Sequence, residues 1–148
     1  MSWQTKAFAT QDALLSLLQA NANLSAWSIE YGLPSIRDEQ TMWIDENIEE
    51  WTQEGETSGV LSKDEAFRLS VYIYDRKTGA TALEIRNEIQ TAAGYVSDVI
   101  GSAPFLGNTV LYATIVSAQY EGAFQDPEGR VREGVLKLTI GCQAFIGA

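Results

Sequence analysis

Strict alternation marks the middle of the chain. In AFRLSVYIYDR, Phe67, Leu69, Val71 and Ile73 alternate with Arg68, Ser70, Tyr72 and Tyr74, the period of a strand with one face buried. The period then changes. Ala82 and Leu83 open a stretch in which Ile85, Ile89, Ala92, Val96 and Val99 recur at steps of three and four, predicting a helix over about 81–100, roughly 30 Å long. Thr81 and Glu84 have the capping-box spacing, and Gly101 and Pro104 stop the helix. Gly94 inside it costs helix propensity, which suggests that a neighbour approaches closely there.

The flanks carry the same two signals. Phe8, Leu14, Leu15, Leu17 and Leu18 give residues 3–21 an apolar helical stripe. AWSIEYGLP follows, with Trp27, Ile29 and Tyr31 alternating before Gly32 and Pro34 close the strand. TMWIDENIEEWTQ reads as the next strand, with Met42, Ile44 and Ile48 on one face. Thr41, Trp43, Asp45, Asn47, Glu49 and Trp51 take the other face, with Glu46 as an inward exception or a bulge. A polar loop, EGETSGVLSKD, is long for a connection inside a compact domain. TVLYATIVSAQY and RVREGVLKLTIGCQAF form a closing hairpin around Asp126-Pro127-Glu128-Gly129. The order α-β-β-β-α-β-β predicts an α+β fold: one mixed, mainly antiparallel sheet of about four to five strands with two helices packed on one face. At 148 residues the chain makes a single domain, 1–148.

Composition narrows the chemistry. No histidine is present, which removes Ser-His-Asp and Cys-His catalysis and histidine metal sites. The lone cysteine, Cys142, excludes an internal disulfide and a cysteine zinc cluster, and its alternating apolar setting marks it as a core residue. The N-terminus lacks the pattern of a secretory signal, so the Asn23-Leu24-Ser25 sequon carries little meaning. The longest apolar run, about 110–118, is roughly half of a bilayer span. Net charge is −10, which argues against static nucleic-acid binding. Between Arg37 and Glu65 lie ten acidic and two basic residues, half of the chain's acid.

Short motifs give little. Lys77-Thr78-Gly79 matches a triplet of penicillin-recognising serine enzymes, but no Ser-x-x-Lys accompanies it. It reads as a polar turn from strand to helix. No phosphate-binding glycine motif occurs. Asp45, Glu46, Glu49 and Glu50 offer oxygen ligands or an acid/base pair, yet they lack the rhythm of a calcium loop and read as a solvated or pore-lining face. Trp43 and Trp51, placed on that acidic face, are candidate protein-contact anchors. Arg68, Tyr72 and Tyr74 form a contact patch or lie under a helix.

The layout resembles the tail terminator proteins of long-tailed bacteriophages. The likeness rests on the N-terminal amphipathic helix, the strand ending in YGLP, and the acidic strand MWIDENIEEW. LSVYIYDRKTG leading into a long helix and the closing hairpin complete it. The resemblance implies a non-enzymatic virion protein with no cofactor, catalytic residue or metal site. Its members form rings, usually of six subunits, that cap the tail tube, end its polymerisation and meet the head-side connector or stopper. The partners implied are further copies of the chain, the tube protein and the connector. DNA transits the lumen without specific binding, and no membrane is involved. The implied location is the tail and neck of the virion, and the host cytoplasm during assembly. An acidic lumen would keep passing DNA from sticking, which nominates Asp45, Glu46, Glu49, Glu50, Glu54 and Glu56 as lumen or tube-facing residues. Trp43, Trp51, Tyr72, Tyr74, Tyr120 and Phe124 are the candidate contact residues. Three alternatives stand beside this one: another neck or head-completion protein, a small carboxylate-based hydrolase, and a monomeric adaptor.

Overall fold

The computed structural model describes residues 3–35, 39–55, 63–124 and 130–147, apart from the Phe124 side chain. Its helices are α1 (Ala7–Ala20) and α2 (Ala82–Ser102). Its strands are β1 (Ser28–Tyr31), β2 (Gln40–Ile44), β3 (Glu49–Gly55), β4 (Lys63–Thr78), β5 (Tyr112–Phe124) and β6 (Val131–Ile146). They form one mixed sheet in the order β1-β2-β4-β6-β5, with β3 also paired to β4. Only β1 and β2 run parallel; the other pairings are antiparallel. The fold is α+β.

β4 is the spine. β6 pairs with all sixteen of its residues, while β3 and then β2 share its other side. Phe67, Leu69, Val71 and Ile73 are at most 1% exposed. They meet Leu14 and Leu18 of α1, Ile85, Ile89, Ala92 and Val96 of α2, and Leu138, Ile140 and Cys142 of β6 in one core. Each such fully buried side chain contributes about 1.5–3 kcal/mol, so this row fixes where the helices lie.

The sheet has six strands where four to five are expected, because the acidic strand is broken. β2 ends at Ile44 and β3 starts at Glu49, both along one side of β4. Between them Asp45 Oδ1 accepts from the Asn47 N–H at 3.1 Å, an Asx turn that competes with strand pairing. Glu50 then takes φ +47°, a conformation costly for a side chain other than glycine, and the ladder slips between Glu49 and Thr52. The break resets the alternation. Trp43 and Trp51 therefore do not share a face: Trp43 stacks on Tyr72, while Trp51 turns toward α1.

α1 begins at Ala7, not at residue 3. The Trp3 indole N–H donates to Gln53 Oε1 at 2.8 Å, and the Gln53 amide donates to the Gln4 carbonyl at 2.9 Å, so these residues lie against β3. Trp3, Thr5, Lys6 and Phe8 share the walls of an open hollow of about 550 Å³ with Ile146 and Gly147.

α2 is capped as expected: Thr81 Oγ1 accepts the Glu84 N–H at 3.1 Å. Gly94 differs from expectation, since a Cβ placed there meets nothing within 4 Å. No neighbour requires it. Lys77 and Thr78 finish β4, and Gly79 turns the chain at φ +76°, as a strand-to-helix turn requires.

Candidate functional site

Buried side chains of α1 and α2 pack against the Phe67, Leu69, Val71 and Ile73 side of β4 in the core. Trp43, Tyr72 and Tyr74 take the opposite parity. Trp43 and Tyr72, opposite each other on β2 and β4, stack at 5.1 Å and 9°. Lys137, opposite Tyr72 on β6, holds its ammonium 5.9 Å from the Tyr72 ring and 2.8 Å from Glu49 Oε1. Glu49 thus reaches from β3 across β4, and Ser70 is fully buried. The Tyr74 hydroxyl donates to Glu133 Oε2 at 2.6 Å. Trp43 and Tyr74 are buried, and Tyr72 is half-buried.

The acidic segment does not converge on a point. Glu49 goes to Lys137, and Glu50 pairs with Arg68 at 3.1 Å. Asp45 closes its own turn, and its carbonyl accepts from the Gln11 amide at 3.1 Å. Glu46 and Glu54 are exposed, and Glu56 lies outside the described residues. Among the described residues no three acids or thiols come together as a metal would need.

Beyond the Glu50–Arg68 pair lies a groove of about 250 Å³, walled on the far side by Tyr112, Thr114 and Val116. Its floor is Gly141, which sits between Arg68 and Thr114 in the ladders. A Cβ there would come within 2.9 Å of Val116 Cγ1, so the floor must stay bare. Tyr120 lies on the helix-covered face. A Cβ on Gly134 would lie 2.6 Å from its hydroxyl, and its ring is 40% exposed at the sheet's margin. The Phe124 backbone pairs with Arg132, and its side chain is outside the described set.

Two acids outside the candidate set carry the most distinctive electrostatics. Glu65 is 1% exposed. Its carboxylate accepts from Thr5 Oγ1 at 2.6 Å, the Lys6 N–H at 2.7 Å, the Trp51 indole at 2.9 Å and the Gln53 amide at 2.7 Å. Burial pushes its pKa up, but the four donors outweigh burial and hold it below the ordinary value. One carboxylate thereby ties the start of α1 to β3 and β4. Over it stand Trp51, Phe8 and Trp3, with ring centroids 5.6 and 5.5 Å from Trp51. Trp51 is half-buried, with its ring against Trp3 and Phe8.

Asp75, at the other end of the same β4 face, is 1% exposed. Burial first, then a proton shared with Glu88 of α2 and the charge of Glu88, push its pKa up to about 7. Both acids had a sequence signal: they keep the parity of Phe67, Leu69, Val71 and Ile73, the buried side of the strand.

Nucleophilic chemistry finds no support in Cys142. It is buried, and desolvation pushes its thiol up to about 12, far from the thiolate a nucleophile needs. No helix of the described residues is long and apolar enough to cross a membrane. No protein-family model matches the chain, and no curated protein matches it either.

Proposed function

We propose that the protein is a structural assembly subunit of the tail-terminator kind. In this reading copies of the chain close a ring, six-membered in the family it resembles, on the end of a phage tail tube. The ring stops tube growth, meets the head-side connector, and lets DNA pass through its lumen. It works in the virion neck as a scaffold and not as an enzyme. The observation that carries the reading is the thirteen-residue outer strand β5, bonded only to β6 among the described strands, which leaves a long sheet edge for a neighbour. Sheet surface of this kind is what oligomers cover. Glu46 and Glu54, both exposed, are the residues of the acidic set best suited to a wall that repels DNA. Glu49 and Glu50 hold internal ion pairs and shape the groove instead.

The test is assembly. Purified protein is mixed with polymerising tail-tube subunits and imaged by electron microscopy, alongside native mass spectrometry of the protein alone. Arrested tubes carrying a terminal ring are expected. Tubes whose length does not respond to the protein would sink the proposal.

A further inference from the structure

We infer that β5 is a homotypic interface: two copies of this chain pair their β5 edges antiparallel about a twofold axis. β5 is the outermost strand of its side, bonded only to β6 among the described strands. It is thirteen residues long, and every side chain over residues 116–123 is exposed. Val116 and Tyr120 on it, and Tyr112 at its start, are 40–46% exposed. Its sequence, YATIVSAQYEGAF, has one charge, Glu121, and neither lysine, arginine nor proline. Edge strands left in water are normally short, charged, kinked or covered.

The other edges of this molecule have those protections. β1 is four residues long, contains Glu30, and runs into Gly32-Leu33-Pro34. β3 contains Glu49, Glu50 and Glu54, slips register after Glu49, and has Trp3 and Gln4 tied to its Gln53. β5 has only a register slip between Ile115 and Ser117.

Charge selects the occupant. A basic partner would be drawn to the acid of this −10 chain, not to its neutral strip. A second copy is repelled by that same acid and can approach only across a surface nearly free of charge. Main-chain pairing also needs an unpaired strand on the partner, and each copy brings one. Centred on Ala118, the pairing sets Glu121 opposite Ile115 of the second copy. The two Glu121 carboxylates are then about 20 Å apart, beyond the screening length of about 8 Å at physiological salt. Centres near Glu121 would bring them together. Head-to-tail pairing with β1 could use only its four residues.

A twofold contact does not itself build a sixfold ring, so this pair is a state of the protein off the ring and stands apart from the ring proposal. The experiment places single cysteines at the exposed positions by Ser117→Cys, Ala118→Cys and Gln119→Cys. Buried Cys142 is inert under mild oxidation. At a twofold axis a residue faces its own copy within disulfide reach. A covalent dimer peaking at one of these positions is expected. Sedimentation velocity should give a concentration-dependent dimer for the unmodified protein, weakened at least ~10-fold by Ala118→Lys. Gln119→Lys serves as the second variant, and circular dichroism checks that both fold. Protein that stays monomeric at every concentration, association indifferent to both lysines, or a dimer without a same-residue disulfide at any of the three positions overturns the inference. Protein that stays monomeric at every concentration yet still caps tubes would remove this inference and leave the ring proposal intact. A same-residue disulfide dimer whose reduced form has no effect on tube growth would do the reverse.

Discussion

Glu65 and Asp75 sit on the same face of one strand, and their environments push them in opposite directions. Glu65 is surrounded by donors, so its charged form is favoured in the fold. Its folded pKa lies below the unfolded value of about 4.5. The stability it supplies is present above that value and is lost as pH falls through the lower folded one. Glu65→Gln would turn an N–H toward one of these donors, an effect on the order of 1–3 kcal/mol. Urea midpoints should drop for the variant at pH 7, and the gap should narrow as pH falls through the lowered folded pKa. Asp75 behaves conversely. Its folded pKa of about 7 lies above the ordinary 3.8, so the fold holds a proton that the unfolded chain has released. Stability should therefore fall as pH rises from about 4 to about 7. Asp75→Asn keeps a donor facing Glu88 without the titration. The variant should be more stable than the parent at pH 8, on the order of 1–3 kcal/mol, with little difference at pH 4. A melting-temperature series over pH 4–8 checks the slope.

Among the elements, α2 offers the simplest test. Gly94 is exposed, mid-helix and free of close neighbours, so Gly94→Ala should stabilise by about 0.5–1 kcal/mol. Removing the cap by Thr81→Ala should cost about 1 kcal/mol. Chemical denaturation of the two variants should move in opposite directions. These elements were legible because each follows one uninterrupted period. β4 keeps strict alternation, and α2 keeps its apolar stripe between a capping threonine and a terminating turn. The acidic strand was not legible. Counting alternate residues assumes unbroken pairing, and the turn at Asp45 with the left-handed Glu50 resets the count between Trp43 and Trp51. Pattern reading therefore put two tryptophans together that the fold separates. The start of α1 failed for a related reason: side-chain bonds from β3 hold Trp3 and Gln4 out of the helix, and no periodicity reports them.

For the whole molecule, the governing fact is a net charge of −10 spread over a body with one nearly neutral edge. Long-range repulsion opposes self-association, and salt shortens its reach from about 10 Å at 0.1 M to about 3 Å at 1 M. Association through β5 should therefore tighten several-fold over that range. An interface built on salt bridges would weaken instead, and sedimentation velocity at the two ionic strengths separates the cases.

The hollow shared by Trp3, Lys6, Ile146 and Gly147 has one more consequence. With its first and last described stretches side by side, the chain traces an almost closed circuit, and its linear order is close to incidental to its shape. A short linker could join the two stretches, and the circuit could be opened at the exposed turn of Gly107 and Asn108. The core contacts and the β5 edge would be unchanged, while newly made ends would emerge beside the N-terminal end of β5. Such a permuted chain would allow a bulky domain to be hung at a chosen point of the circumference, which turns the direction each surface faces in an assembly into something that can be mapped.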